Sequence, residues 1–146
     1  NLAFILLPLA YAVSLAFDGL NYHLPPPLGI VGLAGLITAF LIRAKAHLDL
    51  GESFTISPGT KRRRQLVTTG IYSRIRHPMY LSMVVWAISS PLVLQNFLVG
   101  PFPLAAIAAF LLVRVPLEEK ILKEEFGDEY DKYLAGTGAL LPRLIE

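Results

Sequence analysis

Residues 66–80 read Leu66-Val67-Thr68-Thr69-Gly70-Ile71-Tyr72-Ser73-Arg74-Ile75-Arg76-His77-Pro78-Met79-Tyr80, a polar, basic, turn-prone segment that leads straight into a long apolar run. Gly70 permits backbone angles that other residues avoid, while Pro78 fixes its own φ and has no N–H to donate. Pro78 therefore suits the first turn of a helix, and His77 before it is pushed out of the α region. The pattern predicts His77 and Tyr80 at a helix mouth, where free backbone N–H groups and two rings face one point. A juxtamembrane basic loop that only sets topology accounts equally for this stretch taken alone.

Around it the chain is apolar. Hydrophobic residues make up 54% of the 146 and charged residues only 16%, with a mean hydropathy of +0.56; an average soluble domain carries about 25% charged residues. This composition predicts one all-α domain, an integral-membrane helical bundle. With no cysteine, a disulfide framework, a thiolate metal site and a cysteine nucleophile are excluded. The first apolar segment lacks a basic flank and a small-residue cleavage site, so it reads as a span rather than a signal peptide.

Four spans are predicted, at about residues 1–18, 28–46, 78–95 and 98–115. Gly32, Gly35 and Ala39 in the second would let a neighbouring helix approach closely. Residues 47–77 form the one long polar connection, with Ser57-Pro58-Gly59 and the run Lys61-Arg62-Arg63-Arg64. The apolar stretch 78–115 is too long for one crossing at 1.5 Å per residue. Pro91, Gln95, Asn96 and Gly100-Pro101-Phe102-Pro103 break it into a hairpin. Beyond it, Leu117, Ile121, Leu122, Phe126, Tyr130 and Tyr133 place one apolar stripe on a C-terminal amphipathic helix, 117–134.

Charge sets the expected orientation. Eight of the thirteen Lys and Arg fall between Arg43 and Arg76 and five from Arg114 onward, while the loops near 18–27 and 95–101 have none. By the positive-inside rule the polar connection and the C-terminal helix are both cytoplasmic. A second polar group, Arg114-Val115-Pro116-Leu117-Glu118-Glu119, then falls on the same side as the first. Arg114 and Glu118 are four apart and share a helix face, although Pro116 between them would distort that helix. An interfacial arginine that snorkels, followed by a solvated acidic helix start, is the simpler explanation of this group alone.

Together the two groups resemble the isoprenylcysteine carboxyl methyltransferase family in its compact prokaryotic form. The resemblance rests on Leu50-Gly51 with Ser53, Leu66-Val67-Thr68-Thr69-Gly70-Ile71-Tyr72 and Arg76-His77-Pro78-Met79-Tyr80. It continues through Arg114-Val115-Pro116, Glu118-Glu119, Phe126-Gly127-Asp128-Glu129-Tyr130, Tyr133 and Leu141-Pro142. It implies an integral-membrane enzyme that uses S-adenosylmethionine to esterify the carboxylate of a prenylated cysteine at the cytoplasmic face. Carried over residue by residue, Gln65, Leu66, Val67, Tyr72, His77, Pro78, Met79, Tyr80 and Glu118 line the cofactor site, and Arg114 matches the arginine beside the substrate carboxylate. Membrane lipid and a lipid-like prenylated carboxylate are the implied partners. The chain departs from the family in its longer Lys61-to-Arg64 run and in Gly136 and Ala139, where relatives often carry basic residues.

The chemistry is coherent without the family. A sulfonium methyl donor requires no metal, and no metal-ligand cluster is present in the sequence. A carboxylate acceptor with a pKa of about 4 is ionised near neutrality and requires no base. An arginine fork suits it, and an ionised Glu118 would pair with the α-ammonium of the donor. Three readings compete: a phospholipid or amine N-methyltransferase, whose acceptor must shed a proton; an NADPH-dependent membrane reductase, for which Lys61–Arg64 could hold a 2′-phosphate; and a non-enzymatic helical scaffold. Nucleic-acid binding is not expected, since neither a helix-turn-helix, a zinc motif nor a soluble basic domain is present.

Overall fold

The computed structural model describes residues 19–51 and 65–143. The expected first span, Ser53 and the Lys61–Arg64 run lie outside these described residues. The described chain is all-helical: α1 (Pro26–Leu50), a 3-10 helix (Gly70–Ser73), α2 (Pro78–Leu94), α3 (Phe102–Phe126) and α4 (Asp128–Gly136). Turns and loops join these helices, with isolated bridges pairing Asn21 with Asn96 and Ile75 with Gly138. Contacts divide the chain into two units, the first from residues 1–39 and 83–111 and the second from 40–82 and 112–146.

In the first unit, α1 meets α2 through small residues. A Cβ added at Gly35 would lie 2.1 Å from Ser89 Oγ, and one added at Gly32 would lie 2.7 Å from Leu92 Cβ. The two backbones thus approach more closely than side chains would permit, as the sequence spacing leads one to expect. The loops that carry no Lys or Arg are knitted together here. Tyr22 N–H donates to the Gln95 carbonyl at 2.8 Å, Phe97 N–H to that of Leu20 at 3.0 Å, and Asn96 Nδ2 to Asn21 Oδ1 at 2.8 Å. Exposed Ile30, Val31, Leu33 and Ile37 on α1 match its mean hydropathy of 1.8 over a membrane-length window. It is the one described helix both long and apolar enough to cross a bilayer; α2 is apolar but has 17 residues.

In the second unit, Pro78 opens α2 and the His77 carbonyl accepts from the amides of Tyr80 and Leu81, both at 3.0 Å. That is the first-turn role expected of a proline. The C-terminal part differs from the sequence expectation. In place of a span ending near 115 and a separate helix 117–134, α3 runs unbroken through Pro116 to Phe126. The break falls at Gly127, which takes φ 53, and α4 follows. Proline inside a helix costs about 3 kcal/mol, which an isolated helix could not offset, so its tolerance here depends on tertiary packing. The apolar stripe read on one helix is therefore shared by α3 and α4.

The close approach at Gly35 gives a direct test. Gly35→Leu should destabilise the protein by about 1–3 kcal/mol, the usual cost of overpacking, seen as a lower thermal midpoint in detergent. Ser89→Gly should recover part of the loss.

Candidate functional site

All the residues that follow belong to the second unit. His77 ends the turn before α2, and its ring stacks on Tyr80 with centroids 5.4 Å apart and planes 22° from parallel. From α3, Arg114 and Glu118 come to the same place, since the helix continues through Pro116. The Tyr80 hydroxyl donates to Glu118 Oε2, while Arg114 Nε donates to Tyr80 Oη at 3.3 Å and lies 3.7 Å from Glu118 Oε2. One phenol thus joins the guanidinium and the carboxylate.

Beneath this lies a second, more enclosed group. Arg76, its side chain 10% exposed, donates from Nε to Glu119 Oε1 at 3.0 Å and from Nη1 to the carbonyls of Leu134, at 3.3 Å, and Thr137. Carbonyls at a helix C-terminus carry partial negative charge and favour a cation. The backbone reinforces this tie: Arg76 N–H donates to the Gly138 carbonyl at 2.9 Å and His77 N–H to that of Ala139 at 3.0 Å. His77 Nε2 lies 3.3 Å from the same Glu119 oxygen. Burial holds the imidazole below its ordinary pKa of 6.5, outweighing the nearby carboxylates of Glu118 and Glu119. The ring is therefore neutral near pH 7, and the tautomer that satisfies a carboxylate acceptor carries its proton on Nε2.

These groups border a cavity of about 470 Å³, within the range of small-molecule sites. All ten residues singled out in the sequence line it: Gln65, Leu66, Val67, Tyr72, His77, Pro78, Met79, Tyr80, Arg114 and Glu118. So do Leu50, Arg76, Ile121, Leu122, Phe126, Tyr130 and Tyr133, to which the sequence reading assigned no site role. The helical spacing of Ile121, Leu122 and Phe126 behind Glu118 is the signal that could have found three of them. Burial pushes the phenols of Tyr72 and Tyr130 up to about 12 and raises that of Tyr133 as well, so these rings stay neutral. Among the described residues no group of three or more His, Cys, Asp or Glu could hold a metal. The result is a wall of aromatic rings, with Glu118 as its one carboxylate and the two guanidinium groups of Arg76 and Arg114. That arrangement can take a small ligand with an aromatic body and a cationic end.

Fold and site define a helical protein with an apolar helix of membrane length and a cavity of small-molecule size. Comparison makes the class specific. Residues 30–124 match the model of the isoprenylcysteine carboxyl methyltransferase (ICMT) family. Protein-S-isoprenylcysteine O-methyltransferase B of Arabidopsis thaliana is 32% identical over 141 residues, covering 90% of this chain and 68% of that protein. The Schizosaccharomyces pombe protein-S-isoprenylcysteine O-methyltransferase is 34% identical over 94 residues, 63% of this chain and 40% of its own length. The solved structure of a eukaryotic intramembrane Ras methyltransferase, also an ICMT, aligns with TM-score 0.76 at 28% identity over 97% of this chain. The chain belongs to the isoprenylcysteine carboxyl methyltransferase family, a family of methyltransferase enzymes. It spans 53% of the solved protein and less than two thirds of several other relatives.

The buried neutral imidazole sets a pH dependence. Because folding lowers the pKa of His77, the unfolded chain binds more protons below about pH 6.5. Stability from this group is present above that pH and is lost on acidification, with a slope of at most about 1.4 kcal/mol per pH unit for one proton. Thermal midpoints in detergent should fall as pH drops from about 7.5 to about 5.5. His77→Gln should flatten the fall.

Proposed function

We propose that the protein transfers a methyl group from S-adenosylmethionine to the carboxylate of a lipid-like, prenylcysteine-type substrate. The observation that carries this reading is the meeting of Arg114 and Glu118 across the Tyr80 hydroxyl at the edge of an aromatic cavity. The residues present suit the donor. A carboxylate, Glu118, is available for its ammonium group, and Tyr72, Tyr130, Tyr133 and Phe126 offer π-faces to a sulfonium and an adenine. The donor supplies an electrophilic methyl group whose C–S bond breaks, as a carboxylate oxygen bonds to that carbon, leaving a neutral thioether.

This chain's own part is positioning and electrostatics. Arg114, 47% exposed, can turn its planar fork to a carboxylate and hold one oxygen in line with the methyl group. Tyr80 keeps Arg114 and Glu118 at fixed separation. The acceptor is already ionised near neutrality, so no base is needed. Transfer to an amine would need one, and the buried His77 has its Nε2 occupied by Glu119. The NADPH reading is weaker for a related reason, because Arg76 and Arg114 already lie beside Glu119 and Glu118.

The chain is further proposed to cross the membrane four times, with residues 47–77 and 114–146 cytoplasmic, on the strength of the thirteen-to-none division of Lys and Arg. A prenyl chain can then remain in the bilayer while a water-soluble donor arrives from the cytosol. A cysteine replacing His23 should label from outside intact cells and one replacing Lys132 should not; the reverse pattern overturns this orientation.

Calorimetry in detergent should detect S-adenosylmethionine and S-adenosylhomocysteine, and tighter binding of NADPH would defeat the proposal. Glu118→Gln should weaken donor binding by about 1.5–3 kcal/mol, the value of a hydrogen bond to a charged group. Arg114→Lys should abolish most transfer to a farnesylated cysteine analogue while leaving donor affinity intact, since lysine cannot form the fork. Full activity of Arg114→Lys would remove the acceptor role.

A further inference from the structure

The turn that brings Tyr72 to the cavity is anchored by a residue outside both the turn and the cavity wall. The 3-10 helix Gly70–Ser73 starts after Thr69, whose side chain makes no capping hydrogen bond. The free amide of Ile71 is taken instead by Asp49 Oδ2 at 2.7 Å, from 22 residues back near the end of α1. The second carboxylate oxygen, Oδ1, accepts from Lys45 Nζ at 2.5 Å, one helical turn away. Gly70 completes the fit. It takes φ 61, and a Cβ there would lie 2.2 Å from Asp49 Oδ2, so the carboxylate fills the space a side chain would need.

On either side of this latch the chain meets the cavity. Leu50 follows Asp49, Tyr72 follows Ile71, and Gln65 to Val67 enter the same turn, all of them lining residues. Tyr72 is gripped from the far side too, its carbonyl accepting from Tyr133 Oη at 2.7 Å. Asp49 itself is absent from the wall.

We propose that Asp49 is a positioning residue for the methyl donor: by fixing the Gln65–Tyr72 segment against the end of α1, it sets donor affinity without touching the acceptor. This rests on the proposed function. The charge-assisted bond to Ile71 and the Lys45 pair hold the carboxylate in one orientation, and only glycine at position 70 lets the turn close on it.

The test compares wild type, Asp49→Asn, Asp49→Ala, Gly70→Ala and the double variant Asp49→Ala/Gly70→Ala in detergent. Asp49→Ala should raise the dissociation constant for S-adenosylhomocysteine about tenfold or more, with kcat at saturating donor and the acceptor KM within about twofold of wild type. Asp49→Asn, which retains an acceptor for Ile71, should lose less. Gly70→Ala should also weaken binding, and its effect should shrink once Asp49 is alanine, because the clash is gone. Hydrogen exchange at the Ile71 amide should rise in Asp49→Ala with α2 unchanged. Wild type that fails to bind S-adenosylhomocysteine overturns the proposed function and this role with it. Wild type that binds while Asp49→Ala binds equally, or Asp49→Ala that loses kcat and acceptor affinity as much as donor affinity, overturns the positioning role alone.

Discussion

The guanidinium of Arg76 is the constraint on which the second unit depends. It is enclosed and carries five N–H donors, which need partners in place of water. Glu119 supplies one from α3, and the carbonyls of Leu134 and Thr137 supply others from the end of α4. These partners come from α3 and from the end of α4, both far from Arg76 along the chain, so pairing the charge and assembling the cavity wall are one event. Lysine would not do the same, because a point charge cannot reach a carboxylate and two carbonyls in fixed directions. His77 is drawn in through the same Glu119 oxygen, which orients the ring that stacks on Tyr80. Breaking one partner of such an enclosed pair costs more than the pair itself contributes, since it leaves a charge with neither water nor partner.

The unbroken course of α3 matters for a related reason. Positions 114, 118, 121, 122 and 126 of one helix fall on a common face, so a single rigid rod delivers Arg114, Glu118 and an apolar floor together. A break at Pro116 would have freed Arg114 to rotate away from Glu118. The proline is tolerated because the groups before and after it are each held by tertiary contacts, Arg114 by Tyr80, and Glu119 by Arg76 and His77. The helix then ends at Gly127, where a positive φ breaks the chain at little cost.

Within the methyltransferase family the chain is similar over nearly its whole length to a solved protein about twice as long. The stretch that matches the family model, residues 30–124, contains both motif groups. A site of this kind, built from helix ends and the turns that join them, draws its precision from hydrogen bonds between segments and not from the bundle's apolar packing.

Local chemistry determined much of this in the sequence itself. Pro78 dictated where α2 begins, because a ring with fixed φ and no N–H fits a first turn. The small residues Gly32 and Gly35 marked a close helix contact, and all ten residues singled out for the site line one cavity. Other features could be read only from the folded chain. Asp49 and Ile71 are 22 residues apart and Arg76 and Thr137 61 apart, and no periodicity relates such positions. The continuation of α3 through Pro116 was likewise decided by tertiary contact, since local propensity argues for a break. Spacing along a chain encodes which residues share a face; which distant carboxylate satisfies a given amide or guanidinium is decided only when burial removes water as the alternative partner.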